Sequence, residues 1–356
     1  MSVITNGNFF VCIFLVVSGL VLSWSLFDPD KAAPKLSSIA LKRYFRLVAP
    51  AVVVCALVYV LMIFDLLKNQ EISGITGSSW LHNIYNWDAP SVKDFLTTSL
   101  ISMWFVGTNF FSTAFWMLSV AFYGSFLAMF CAMMVWGRNS RIVWVWIALA
   151  VGLLCLKQYQ TYLACFPLGT ALAYYFATSK NRNGKAPSRS QTLLNVTIVL
   201  VGLLYGGYPT GVEHPTNIYH YLPVLDFGSG KAVSAHVFGA VALLYGIHKL
   251  AWIQRILEHK VFLFLGDLSY SLYLLHIPIL CTVTIAIFQG VYGQVGSYKL
   301  SVLIALVLSL MIIVFVSHLF YRFIEIPLTK ATNRFIAPIG TDETNGLPAV
   351  CAKNAH

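Results

Sequence analysis

Nine long apolar runs divide this chain, at residues 7–27, 44–67, 111–136, 142–156, 159–178, 192–208, 232–252, 267–289 and 300–323. Of its 356 residues 58% are hydrophobic and 10% are charged, against roughly 25% charged in a soluble domain. The deficit is spread along the whole length, which excludes a soluble domain with one anchor. Inside hydrocarbon a backbone must satisfy its own hydrogen bonds, and runs of this length do so as helices. The fold class expected is therefore an all-α polytopic membrane protein with about nine transmembrane helices. The fourth and sixth runs are short for a hydrocarbon core of about 30 Å, so tilt, breakage or an interfacial position is expected there.

The net charge of +10 could point to nucleic acid. Its distribution points elsewhere. Of the 23 Lys and Arg, all but Lys68, Lys93, Lys157, Lys231 and Lys299 fall in alternate loops. That asymmetry is the positive-inside pattern of a multi-pass protein. It places the C-terminus in the cytoplasm and Met1 on the far side, and no nucleic-acid partner is expected. Six of the seven cysteines lie in apolar stretches without CxxC pairing, so they read as small core hydrophobes. The first run lacks the basic n-region and cleavage site of a signal peptide.

Two far-side segments are long. Residues 68–110 mix Trp80, His82, Trp87 and Trp104 with a weak amphipathic pattern, as an interfacial stretch would. Residues 205–231 are rich in Gly, Pro and Tyr and read as an ordered loop or lid. His214, His220 and Asp226 in that loop match no metal-site spacing, and no metal is expected. Residues 1–335 form one membrane domain, and 336–356 a disordered cytoplasmic tail. There is no internal repeat, no Gly-rich phosphate loop, no HExxH and no GxSxG.

Polar groups inside the apolar runs are the informative residues, because each needs a partner where there is no water. In "GDLSYSLYLLHIPIL" (266–280), Ser269, Tyr273 and His276 share a helix face. Pro278 frees the carbonyl of Leu274 and predicts a local kink. The stripe serves either as a seam between helices or as the wall of a polar cavity. In "SHLFYRFIEIPLTK" (317–330), His318, Arg322 and Glu325 share a face with Tyr321 beside them. Arg322 and Glu325, three apart, are expected to pair, and Pro327 to end the helix. In "LKRYFRLVAP" (41–50), Arg43 and Arg46 lie on one face. Two guanidinium forks at that spacing suit a phosphate-bearing ligand, or anchor the helix by snorkelling. "FWMLSVAFYGSFL" (115–127) offers Trp116, Ser119 and Tyr123 and no ionisable group.

These stretches, in this order, resemble the acyltransferase 3 family of integral-membrane proteins, which acylate hydroxyl groups on sugars, lipids and natural products. "LGDLSYSLYLLHIPIL" is similar to its late-helix signature and "FYRFIEIP" to its closing motif. "GNFFVCIFLVVSG" (7–19) resembles its second helix, Arg43-Tyr44-Phe45-Arg46 its RxxR motif, and "FWMLSVAFYGSF" its W-x-L-x-V-E-x-Y segment in the fungal wording. The likeness runs from Gly7 to Lys330.

The resemblance implies a membrane O-acyltransferase. It would move an acyl group, expected to be acetyl, from acyl-CoA to the hydroxyl of a small molecule, natural product, sugar or lipid. Acyl-CoA is then a co-substrate with no permanently bound cofactor, and the bilayer and a hydroxyl-bearing acceptor are the partners. Arg43, Arg46 and Arg322 would hold the donor, with His276, Tyr273 and Glu325 catalytic. Trp116, Tyr123, Ser269, Tyr270 and Tyr321 would line the acceptor pocket. Two departures stand out. The family's Glu is replaced by Ala121, and the family has one helix more, before the first run here, carrying an Arg and a later catalytic His. The chain as given is therefore expected to be a poor catalyst. Two alternatives stay open: a family member that binds without acylating, and a transporter of a small solute or acyl donor.

Overall fold

A computed structural model describes residues 3, 6–24, 26–27, 36–134, 141–156, 158–179, 188–211, 218–224, 226–227 and 230–336. Among them the regular structure is helical, with no strand. The first two runs form α1 (Gly7–Trp24) and α2 (Leu36–Ile63). The segment expected to be interfacial breaks into short pieces, α3 (Asn69–Thr76), α4 (Ser79–Asn83), α5 (Val92–Thr97), a π-helical turn (Thr98–Ser102) and α6 (Met103–Phe105). Then follow α7 (Trp116–Met133), α8 (Ile142–Leu154), a 3-10 turn (Gln158–Ala164) leading into α9 (Cys165–Ser179), and α10 (Arg189–Gly206). The second half holds α11 (Lys231–Lys249), α12 (Ala251–Leu257), α13 (Lys260–Ile279), α14 (Ile285–Val295), α15 (Tyr298–Phe320) and α16 (Ile326–Ile336). Of the sequence features above, His214 and the tail beyond Ile336 lie outside the described residues.

All nine apolar runs are helical, but they are unequal. Five helical rods are long and apolar enough to cross a membrane: Gly7–Trp24, Ala40–Ile63, Trp116–Met133, Lys260–Val295 and Tyr298–Ile336. The pair α11 and α12 makes a sixth only as a span bent by 99°. The fourth run, flagged as short, is α8 with 13 residues, or about 20 Å of helix. The chain is thus a helical, multi-pass membrane protein, and among the described residues the helices long enough to span are fewer than the apolar runs.

Of the two prolines, Pro327 did not act as the sequence led us to expect. Pro327 does not end the last helix. It sits in the first turn of α16, where a missing N–H costs least, and the rod continues to Ile336. A π-helical turn, Tyr321–Glu325, precedes it. Pro278 lies inside α13, and a second π-helical turn, Leu280–Thr284, follows it. The Cys281 carbonyl in that turn accepts the Lys68 N–H at 3.1 Å, so the wide turn is tied to the loop after α2.

Two cores share one helix. The first gathers Val54 and Val58 of α2, Trp104 of α6, Leu118 and Phe122 of α7, Leu274 and Leu275 of α13, and Phe320 of α15. The second gathers Phe9 and Val16 of α1, Val120 and Ala128 of α7, Phe166 and Phe176 of α9, and Val237 and Leu243 of α11. α7 is the wall between them, and 61% of it is buried. In lipid, helices approach through small residues, because burying apolar surface drives little there. The pair α10–α11 shows this: a Cβ on Gly202 would lie 2.8 Å from the Leu243 nitrogen and 2.9 Å from the Gly239 oxygen. The pair α1–α9 closes the same way, with Gly169 against the Val16 carbonyl.

Candidate active site

The basic starts of α2 and α13 and the π turn Tyr321–Glu325 meet at one end of the bundle. Arg43 Nε donates to Ser125 Oγ on α7 at 3.2 Å, and Ser125 Oγ donates to the Ala121 carbonyl at 2.6 Å. That bond uses only Nε of the guanidinium, leaving its terminal nitrogens for another partner. Arg46, one turn along α2, is exposed. Tyr270 donates its hydroxyl to the Leu47 carbonyl at 2.5 Å, which staples α13 to α2. Ser271 Oγ donates to Glu325 Oε2 at 2.6 Å. Glu325 is only 5% exposed. Arg46 and Asp267 are the charges that reach it, and Tyr321 lies among Asp267, Glu325 and Arg46.

The expected Arg322–Glu325 ion pair does not form. Three residues apart on an α-helix would place both on one face, but the wider π turn rotates Glu325 onto Ser271 of α13. Arg322 stays exposed, its guanidinium 6.0 Å over the Phe323 ring.

His276 and Tyr273 lie deeper on α13, facing a different way from Ser271. His276 Nδ1 is 2.8 Å from the Tyr273 carbonyl and 3.2 Å from that of Leu272. Carbonyls only accept, so this assigns the proton to Nδ1 and the lone pair to Nε2. The Tyr273 hydroxyl donates to the Ala114 carbonyl just before α7. Tyr270 and Tyr273 are therefore both engaged with backbone in this state. Ser269, the outer member of the stripe, is exposed. Trp116 packs 5.1 Å from the Tyr162 ring on the other side of α7, and Tyr123, also exposed, donates to the Phe105 carbonyl at 3.1 Å. Those last three are not part of the cluster at the basic end.

Ser271 and Asp267, polar groups of the 266–280 run that were given no site role from the sequence, complete the cluster, and Ser125 completes it without being singled out by the sequence. His236 was missed altogether. It is fully buried on α11. Asn6 Nδ2 reaches the carbonyls of Gly206 and Tyr208 at 3.0 and 2.9 Å, which uses both its hydrogens. His236 Nε2 then donates to the Tyr208 carbonyl at 2.8 Å. Its Nδ1 is buried without a hydrogen-bond partner among the described residues. The available signal was the ionisable residue within an apolar run.

A multi-pass helical bundle that gathers two arginines and a buried carboxylate at one end matches a known family. The family model described as "Acyltransferase domain" covers residues 1–322, and the chain belongs to that acyltransferase family. Acyltransferase clz18 of Cochliobolus lunatus is 25% identical over 170 residues, covering 46% of this chain and 36% of the relative. Peptidoglycan O-acetyltransferase OatA of Listeria monocytogenes is 23% identical over an alignment of 363 residues, covering 93% of this chain and 52% of the relative. Acyltransferase R4 of a Phoma species is 22% identical over 143 residues, covering 38% and 31%. The chain therefore spans about half or less of the length of these curated relatives. No solved structure matches.

Proposed function

We propose that the protein is a membrane O-acyltransferase that moves an acyl group from acyl-CoA to an acceptor hydroxyl. The observation that carries this reading is the cluster at the basic end, combined with membership of the acyltransferase family. Arg43, oriented by Ser125, and Arg46 present donors to the phosphates of the coenzyme, each charge-assisted contact contributing about 1.5–3 kcal/mol. His276, with its proton on Nδ1, offers Nε2 as the base. It takes the proton of the acceptor hydroxyl as the oxygen attacks the thioester carbonyl. The carbon–sulfur bond breaks, an ester forms, and the coenzyme thiolate leaves to be protonated. Tyr321 is the oxyanion donor we assign, because the Tyr273 hydroxyl is already given to Ala114. Acetyl is the donor group named for the peptidoglycan relative, and it is the group we assign here.

Replacing Arg43 and Arg46 together by Gln tests the donor site. Binding of acetyl-CoA should weaken at least tenfold while the protein still inserts. Unchanged binding would reduce the pair to a membrane anchor. A second reading, binding without acyl transfer, is favoured by Ala121, which is buried and offers only its carbonyl, to Ser125. Donor binding with no transfer to any hydroxyl acceptor in a broad panel would establish it.

A further inference from the structure

We propose that the outer face between α13 and α15 is a binding site for one anionic phospholipid, with an acyl chain in the groove, the ester carbonyl at His318 and the phosphate at Arg322. The groove holds about 500 Å³ and is lined by Phe264 of α13 and by Leu310, Met311, Val314, Phe315 and His318 of α15. Every lining residue but the last is apolar, and Leu310, Met311 and Phe315 are each more than half exposed. The five α15 residues form one stripe about 12 Å long. On a helix long and apolar enough to cross the membrane, such a groove faces hydrocarbon, and a hydrocarbon chain is what fills it.

Three further features fix the rest of the ligand. His318 Nδ1 is buried at one end of the groove with no hydrogen-bond partner among the described residues, and its ring lies 5.5 Å from Phe264. An ester carbonyl beside the chain is an acceptor of the right kind for the imidazole's other nitrogen, as Nε2–H. Arg322 follows His318 by about one turn and is exposed. Its guanidinium is stacked toward Phe323 and takes no part in the Glu325 bond. Lys260, one turn before Phe264, is exposed as well. Apolar stripe, imidazole and cation thus succeed one another along α15 as chain, ester and phosphate do along a phospholipid. Basic pockets between membrane helices bind anionic head groups in this manner.

The full chain is reconstituted in vesicles of equal phosphatidylglycerol and phosphatidylcholine, extracted mildly, and weighed by native mass spectrometry with its retained lipid. The wild type should keep one phosphatidylglycerol. Val314→Trp and Met311→Trp, each filling the groove from a different position, should keep none. Arg322→Gln should still keep a phospholipid while its preference for the anionic species falls about fivefold. Equal retention by the wild type and both tryptophan variants would overturn the site. So would equal retention of the two phospholipids by the wild type. If one tryptophan variant fails to fold, the other decides. Oleyl alcohol, a chain without an anionic group, should compete more weakly than phosphatidylglycerol, and equal competition would remove Arg322 from the proposal.

Discussion

Replacing Ser271 by Ala removes the donor that sits 2.6 Å from Glu325 Oε2. The acceptor is 5% exposed, so water cannot simply take the hydroxyl's place. Two magnitudes compete. A neutral hydrogen bond between membrane helices is worth about 0.6 kcal/mol on average, because the unfolded chain in lipid also finds partners. A bond to a charged group is worth about 1.5–3 kcal/mol. The 2.6 Å separation is that of a hydroxyl donating to a carboxylate, so we expect the larger figure to apply. The assay is a double-mutant cycle on reversible unfolding in mixed micelles, using Ser271→Ala, Glu325→Met and the pair. Met keeps the length of the side chain and makes no new bond to Ser271, which the cycle requires. The coupling should reach about 1.5–3 kcal/mol. Glu325→Gln, which keeps an acceptor without the charge, should fall in between. A coupling at or below about 0.6 kcal/mol would show a neutral bond and refute the reasoning.

Other perturbations have clear directions. His276→Ala should abolish acyl transfer, a loss of roughly 10²–10⁴ for a general base. Its unfolding midpoint should hardly move, because Nδ1 bonds only to carbonyls of its own helix. Gly202→Ala should sharply lower the folded yield, since its Cβ would press on the backbone of α11 at 2.8 Å. Gly290→Ala on α14 meets nothing within 4 Å and should stabilise by up to about 1 kcal/mol, and equal behaviour of the two glycine variants in a folded-yield assay would contradict the packing account. Tyr270→Phe breaks the bond to the Leu47 carbonyl and should loosen α13 from α2, read as faster proteolysis or hydrogen exchange at Leu47–Ala51.

Much of the architecture could be read from residue pattern alone. Every apolar run contains a helix among the described residues, because a backbone in lipid has few other options. The short fourth run was visible as short. What could not be read was the effect of a wide turn. A helical wheel puts Arg322 and Glu325 together, yet the π turn at Tyr321–Glu325 delivers Glu325 to Ser271, 54 residues away in sequence. Tyr273 and His276 could be placed on one stripe, and both are covered, but Ser269 at its end is not. Coverage depends on which helices reach that level, and helical period carries no information about that. His236 escaped because its neighbour Asn6 and the Tyr208 carbonyl to which it donates come from distant parts of the chain. No local motif links them.

The sharing of α7 between two cores has a consequence for biosynthesis. The buried members of the core around Phe9, Phe166 and Leu243 all come from α11 or earlier, and only Tyr273 packs against them from later in the chain. The core around Val54, Phe122 and Leu274 has to wait for α13 and for Phe320 of α15. Chains are made from the N-terminus, and their early parts fold first. One side of α7 can therefore be sealed while Leu118 and Phe122 on the other still face lipid or a chaperone. The last helices to leave the ribosome would then dock onto a half-finished template. They carry Ser271, His276 and Glu325, so the chemistry-bearing end would be assembled last, and a nascent chain halted before α13 would insert as a helical body with no complete site.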